Sequence, residues 1–172
     1  MSTSGIINKI VDWGNANGDK LEAAYGLHGG WEGWVQVELA IAFKRAFESE
    51  NPGSTITVTR EDSVYGGTNQ RSDILITTRG GGRDFTNMLE LKCESIAGAA
   101  GFSGQVKGDC DKVDKGLINN QFKPCKAWII AFSVTKDLSN LKVDNKNLVA
   151  YPKQIRAGRL TITLWWGAKD FA

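Results

Sequence analysis

Hydrophobic residues recur with helical spacing over the first third of the chain. Residues 6–11 and 19–25 carry short amphipathic patterns, separated by the helix-breaking run Gly14-Asn15-Ala16-Asn17-Gly18. The strongest pattern covers residues 31–49, and Asn51-Pro52-Gly53 ends it. Its apolar face is formed by Val35, Leu39, Ala42, Phe43, Ala46 and Phe47. We therefore predict two short helices followed by a long one.

Strand patterns take over after the long helix. Alternating apolar and polar residues predict strands over 55–59, 72–78 and 87–94, with a hairpin loop at 79–84. A helix follows over 103–118, and the apolar run at 126–134 indicates a central strand buried on both faces. A short helix at 137–141 and strands at 148–151 and 161–166 complete the pattern. This order predicts one α/β domain over residues 1–172, with a mixed β-sheet flanked by helices.

Charged residues interrupt the second and third predicted strands. Asp73 stands directly before the apolar run of the second strand. Glu90, Lys92 and Glu94 alternate with apolar residues, so they share one face of the third strand. We expect Glu94, the furthest along, to lie in solvent at the edge. Carboxylates beside a lysine are suited to holding a hard divalent cation and polarising a water next to a phosphate.

Glu38 lies in an apolar part of the long helix. Its neighbours three and four positions away are Trp34, Val35, Ile41 and Ala42. A carboxylate at the margin of a buried stripe needs a cation, a metal or hydrogen bonds. We expect Glu38 to belong to the same site as the strand residues, with a buried ion pair as the alternative.

These residues in this order resemble the PD-(D/E)XK nuclease superfamily, which has the restriction-endonuclease-like fold. The resemblance rests on Asp73, on Glu90-Leu91-Lys92 in the next strand, and on a preceding helix that carries Glu38. It covers residues 31–134 and implies a core of element order αβββαβ. Ser72 stands where the name of the superfamily has proline.

The resemblance assigns a role to each of these residues. Asp73 and Glu90 would bind Mg²⁺ or Mn²⁺, with the Leu91 carbonyl as a further ligand. Glu38 would be a ligand or would support the ligands from behind. Lys92 would orient or deprotonate the attacking water and stabilise charge on the phosphate. A lysine among carboxylates stays protonated more readily, which favours charge stabilisation over removal of a proton.

The helix after the third strand is expected to contribute polar residues. In this superfamily that helix often supplies one to the site, and here Gln105 is the candidate. Gln105, Asp109 and Lys112 share a helix face opposite the apolar stripe. We expect Lys107 and Lys112 to contact the phosphates of the substrate.

Composition excludes several other kinds of site. The three cysteines form no CxxC pair, so neither a zinc finger nor a disulfide framework is expected. His28 is the single histidine, which excludes zinc sites that need two. The formal net charge is only +2, so the surface as a whole does not attract nucleic acid, and any binding of nucleic acid depends on local groups of basic residues. The chain has neither a signal-peptide pattern nor a membrane-length apolar stretch, so a cytoplasmic location without membrane contact is expected.

The sequence therefore favours a Mg²⁺-dependent endonuclease that hydrolyses phosphodiester bonds, in DNA more than in RNA. One alternative is a catalytically silent module on the same fold that binds nucleic acid or protein. Another is a toxin or effector nuclease acting on host or competitor DNA or tRNA, with an inhibitor protein as its partner. A homodimer is also allowed by the sequence.

Overall fold

The computed structural model describes residues 4–82 and 84–172 and shows an α/β fold with a mixed, seven-stranded sheet. Arg83, in the predicted hairpin loop, and residues 1–3 of the predicted leaderless start lie outside the described residues. The α-helices of the described part are α1 (Ser4–Ala16), α2 (Gly18–Tyr25), α3 (Glu32–Glu50) and α4 (Phe102–Lys115). The main strands are β1 (Ser54–Asp62), β2 (Ser72–Gly80), β3 (Phe85–Cys93), β4 (Cys125–Ser133) and β9 (Leu160–Phe171).

Short strands fill the segment between β4 and β9. They are β5 (Lys142–Val143), β6 (Lys146–Asn147), β7 (Val149–Ala150) and β8 (Ile155–Ala157). The sheet order is β1-β2-β3-β4-β9-β7, while β8 also pairs with β9 and β5 pairs with β6 in a separate two-stranded ribbon. The β3–β4 pair is parallel, and the other pairs of the sheet are antiparallel. A parallel pair needs a crossover, and α4 provides it.

The predicted α/β fold and the αβββαβ order of elements are confirmed, since α3, β1, β2, β3, α4 and β4 follow one another as expected. The predicted helix at 137–141 is wrong, because those residues form turns and irregular structure. The predicted break after residue 13 is also wrong, because α1 continues to Ala16. Gly14 is needed there for packing: a Cβ on it would lie 2.7 Å from Ile155 Cδ1.

Two apolar layers lie on opposite faces of the sheet. Helices α1, α2 and α3 cover the face that carries Ile74, Leu89 and Leu91. Helix α4 covers the other face, which carries Leu75 and Met88. Strand β4 contributes buried residues to both layers, as the sequence predicts. The charged residues of β2 and β3 therefore lie at one end of the sheet, beyond these apolar layers.

The described helices include none with both the length and the apolar character needed to cross a membrane.

Candidate functional site

Strands β2 and β3 bring Asp73 and Glu90 together at one end of the sheet. Ile74 lies opposite Leu89, so the next positions along the two antiparallel strands are Asp73 and Glu90. Asp73 lies two positions from Leu75, and Glu90 lies two positions from Met88, so both side chains are on the face of the sheet that α4 covers. Asp73 Oδ2 accepts a 2.6 Å hydrogen bond from the Leu91 amide, which fixes the carboxylate against β3.

Glu90 is almost completely buried, with 1% of its surface exposed. Its Oε1 accepts a 2.6 Å hydrogen bond from the Tyr65 hydroxyl, and its Oε2 accepts a 2.8 Å bond from Lys112 Nζ. Burial raises the pKa of Glu90 to about 7, although Lys112 and Tyr65 act in the opposite direction. Burial, together with the adjacent Glu90, likewise raises the pKa of Tyr65, so its hydroxyl remains a donor.

Lys92 is the cation at the centre of the site. Its Nζ lies 3.0 Å from Glu32 Oε1, 3.3 Å from Asp109 Oδ2 and 3.2 Å from the Leu91 carbonyl oxygen. Burial acts to lower the pKa of Lys92, but the charges of Asp109, Glu32 and Asp73 outweigh it and hold the pKa above its ordinary value. Lys92 therefore remains an ammonium group and is suited to stabilising negative charge.

The helix carboxylate that contacts Lys92 is Glu32, which the sequence analysis did not select. Glu32 stands in the first turn of α3, and its Oε2 also accepts a 3.4 Å hydrogen bond from the Cys93 amide. Glu38 follows six residues later, about 9 Å along the helix axis and two-thirds of a turn around it. Glu38 forms no hydrogen bond or ion pair with the site residues that the structure describes, so Glu32 and not Glu38 joins Lys92.

Helix α4 directs more of its polar face inward than the sequence suggests. Asp109 Oδ2 is buried and lies close to Lys92, but it is not aligned for a hydrogen bond and finds no other partner among the described residues. Lys112 is bound to Glu90 and to the Arg71 carbonyl, at 2.8 and 2.5 Å, so its ammonium group points into the protein.

The other two polar residues predicted on α4 lie outside this cluster. Gln105 is exposed and lines a cleft beside Glu32. Lys107 is exposed and pairs with Asp111 one helical turn further on, with 2.7 Å between Nζ and Oδ2. Neither contacts Lys92 or Glu90 by a hydrogen bond or an ion pair in the described part of the chain.

The prediction for Glu94 is wrong. Strand β3 ends at Cys93, so the strand alternation does not continue to Glu94, which is fully buried. Its Oε2 accepts hydrogen bonds from Ser133 Oγ at 3.0 Å and from the amides of Val134 and Thr135 at 2.7 and 2.9 Å. The Thr135 hydroxyl donates to Oε1.

Glu94 thus joins the ends of β3 and β4, and its main chain also supports the start of α3. Its carbonyl oxygen accepts a 2.8 Å hydrogen bond from Trp31 Nε1. Trp31 itself is buried and packs edge-on against Phe132, with ring centroids 5.8 Å apart. Glu32, the next residue after Trp31, is positioned for Lys92 by this arrangement.

The site carries a surplus of negative charge. Four carboxylates (Asp73, Glu90, Glu32 and Asp109) surround two ammonium groups (Lys92 and Lys112), which leaves a formal charge of −2 when all are ionised. Burial is the main cause that raises the pKa of Glu32, Glu90 and Asp109, and the charge of Asp73 adds to it. In this carboxylate cluster, formed by the four carboxylates and two lysines, the ionised form of the carboxylates is therefore disfavoured, and the surplus negative charge attracts a cation.

Carboxylate oxygens are ligand atoms that suit Mg²⁺ or Mn²⁺ in chemistry and in charge. The buried Asp109 Oδ2 faces Lys92 at 3.3 Å but accepts no hydrogen bond from the described residues. However, within residues 4–82 and 84–172 no group of three His, Cys, Asp or Glu side chains forms a ready-made ligand set. Both oxygens of Glu90 are instead held by Tyr65 and Lys112.

Two open clefts adjoin the cluster. The lysine cleft, about 430 Å³, lies between the 65–70 loop and the second half of α4, and its wall includes Tyr65, Gln70, Gly108, Lys112 and Lys115. The glycine cleft, about 480 Å³, lies beside the first half of α4, and its wall includes His28, Gly30, Glu32, Ser95 and Gln105. Each cleft is thus lined by one member of the cluster: Lys112 in the lysine cleft and Glu32 in the glycine cleft.

The chain matches no family model, and comparisons with the curated proteins and with the solved structures give no match.

Proposed function

We propose that the protein is a metal-dependent nuclease of the PD-(D/E)XK type that hydrolyses phosphodiester bonds, in DNA more than in RNA. The observation that carries the proposal is the placement of Asp73 and Glu90 one step beyond the Ile74–Leu89 pair of β2 and β3, with Lys92 on the same strand face as Glu90. Three chemically matched groups at one end of a sheet are a stronger indication than the same residues scattered along a sequence.

In this proposal Asp73, Glu90 and the Leu91 carbonyl would hold Mg²⁺ or Mn²⁺. When bound, such a cation would supply a water of lowered pKa and would neutralise charge on the phosphate. Lys92 stays protonated and stabilises the negative charge that develops on the phosphate oxygens. Because its pKa lies above the ordinary value, Lys92 is not suited to removing a proton from the attacking water.

Glu32 and Asp109 hold the Lys92 ammonium between them. Their oxygens lie 3.0 and 3.3 Å from Nζ, on α3 and α4 respectively. Lys92 would otherwise have several rotamers, and its position relative to the phosphate would vary. Both residues are therefore positioning residues, and the carboxylate that α3 brings to the site is Glu32 and not Glu38.

One observation favours a second candidate, a module that binds nucleic acid without cutting it. Tyr65 and Lys112 occupy both oxygens of Glu90, so the polar network is satisfied without a metal ion. In that case the lysines would serve binding alone.

The test is incubation with plasmid, single-stranded DNA and tRNA, each with Mg²⁺, Mn²⁺ or EDTA. We expect cleavage that EDTA abolishes and that Asp73→Asn reduces at least 100-fold. Asp170→Asn is the matched control, since Asp170 lies at the surface with 75% of its side chain exposed. Binding of DNA without cleavage under every metal condition would instead support the binding module.

A further inference from the structure

Glu90 has two hydrogen-bond partners of different kinds. Its Oε1 accepts a bond from the neutral Tyr65 hydroxyl at 2.6 Å, and its Oε2 accepts one from the Lys112 ammonium group at 2.8 Å. The Glu90 side chain is buried. In a buried site an ammonium group and a divalent cation repel each other strongly if they share one carboxylate oxygen. A divalent cation that binds to Glu90 therefore has to displace one of these two partners.

Tyr65 is fixed in its place at Oε1. It is buried and forms an isolated β-bridge with Ile118. Gly116 packs directly against the Tyr65 ring, since a Cβ on this glycine would lie 2.6 Å from the ring atom Cδ1. The Tyr65 hydroxyl can leave Oε1 only if this whole segment moves, so Tyr65 is not the partner that yields.

Lys112 is held at Oε2 by the end of a flexible side chain. Its Nζ donates to Glu90 and to the Arg71 carbonyl, and it lies 5.0 Å from the centroid of the Tyr65 ring. The stem that carries Nζ has four rotatable carbons and lines the lysine cleft, an open space of about 430 Å³. Rotation about the side-chain bonds can therefore carry the ammonium group from Glu90 into the cleft while α4 stays in place.

The lysine cleft is suited to an anion once Lys112 turns outward. Lys115 lines the same cleft, is exposed, and forms no ion pair with the residues that the structure describes. Asp111 also lies in this wall, but it pairs with Lys107 at 2.7 Å, so its charge is shared outside the cleft. Residues three apart are neighbours on a helix surface. Lys112 and Lys115 would then present two adjacent ammonium groups to a phosphate.

We propose that Lys112 is an exchangeable cation of the site: it occupies Glu90 Oε2 until a divalent cation binds to Asp73 and Glu90, and it then turns into the lysine cleft and contacts a phosphate of the substrate. This inference rests on the proposed function and adds a coupling to it, because one side chain serves the metal site and the phosphate site in turn. Coupling between two binding sites is reciprocal. A phosphate in the lysine cleft therefore strengthens metal binding by the same factor.

The first experiment follows Lys112 in the wild-type protein, so it does not depend on the stability of any variant. The rate at which each lysine is acetylated by N-hydroxysuccinimidyl acetate is measured by mass spectrometry in Mg²⁺ and in EDTA, and calorimetry measures the binding of Mg²⁺ separately. An ammonium group bound to a buried carboxylate is shielded and reacts slowly. We expect Lys112 to react several-fold faster in Mg²⁺, whereas Lys115, which lines the same cleft, serves as the control and should change little.

The second experiment measures how much Ca²⁺ strengthens the binding of a single-stranded oligonucleotide. In the wild type, Ca²⁺ should strengthen binding at least about fivefold relative to EDTA. Lys112→Gln should lose most of this gain, because it has no ammonium group to release. Lys115→Gln is the matched control: it should weaken binding in both conditions and keep the gain of the wild type. An equal gain in Lys112→Gln and the wild type would overturn the coupling.

The outcomes separate a failure of this inference from a failure of the proposed function. If Mg²⁺ binds but the acetylation rate of Lys112 does not rise, the exchange is overturned and the proposed nuclease stands. If the rate rises but no nucleic acid is cut, the exchange is supported and the proposed nuclease is wrong. If calorimetry shows no binding of Mg²⁺ or Mn²⁺, both are wrong.

Discussion

Glu94 provides the sharpest test of how the site is supported. Glu94→Gln keeps the shape of the side chain and one acceptor oxygen for the three donors that meet Oε2, but it removes the charge. A hydrogen bond to a charged acceptor exceeds a neutral one by about 1 kcal/mol. Three such bonds give a loss of about 3 kcal/mol in the free energy of unfolding.

For a chain of this length that loss corresponds to a decrease of about 6–12 °C in Tm. Urea unfolding at pH 7, followed by tryptophan fluorescence, measures the free energy directly. Glu48→Gln is the matched control, because Glu48 is 51% exposed at the surface and should change stability by less than about 0.5 kcal/mol.

The pH dependence gives an independent check. Burial acts to raise the pKa of Glu94, but hydrogen bonds from Thr135, Val134 and Ser133 outweigh it and lower the pKa below its ordinary value of 4.5. The advantage of the wild type over Glu94→Gln is therefore complete above pH 4.5 and is lost as the pH falls through the lower, folded-state pKa. An advantage that is absent at pH 7, or that grows on acidification, would refute the account of Glu94.

Three further predictions concern the site itself. Burial raises the pKa of Glu90 to about 7, so the folded state favours the protonated side chain. This contribution to the free energy of unfolding is complete below pH 4.5 and is lost as the pH rises towards 7. In urea unfolding without metal, the free energy of unfolding of the wild type should fall by up to roughly 3 kcal/mol relative to Glu90→Gln between pH 4.5 and 8. In Gly116→Ala the new Cβ would lie 2.6 Å from the Tyr65 ring, which should lower the free energy of unfolding by about 1–3 kcal/mol and reduce cleavage activity. In Gly104→Ala the Cβ would meet nothing within 4 Å, so this control should be stabilised by up to about 1 kcal/mol. Equal melting temperatures of the two variants would contradict this account. Lys92→Ala should reduce turnover about 100-fold but oligonucleotide binding in Ca²⁺ only a few-fold, and a parallel collapse of both would make Lys92 a simple phosphate anchor.

The sequence predicts the framework of the site well, because the framework depends on local periodicity. Strand alternation places Asp73, Glu90 and Lys92 correctly on β2 and β3, since a period of two leaves little choice of face. The near-continuous apolar run of β4 likewise predicts its burial on both faces.

The partners of these residues could not be predicted, because they come from distant parts of the chain. Glu32 reaches Lys92 from 60 positions away, and Tyr65 reaches Glu90 from the segment between β1 and β2, where it forms an isolated β-bridge with Ile118. The position of Glu32 in the first turn of α3 is a signal that could have favoured it over Glu38. The sequence indicates the position of Asp109 less clearly, because its face of α4 has the same polar composition as a helix face exposed to solvent.

The place of β9 in the sheet has a consequence for how the chain folds. β9 includes the last described strand residues, yet it lies inside the sheet between β4 and β7 and also pairs with β8. Helices α1 and α2 in turn pack against β8, so they depend on residues that are synthesised much later. One example is the hydrogen bond from the Arg156 amide to Asn15 Oδ1, 141 positions apart. Pairings of such long range close large loops and slow folding. We therefore expect a nascent chain to remain sensitive to proteases until residues 160–171 have left the ribosome.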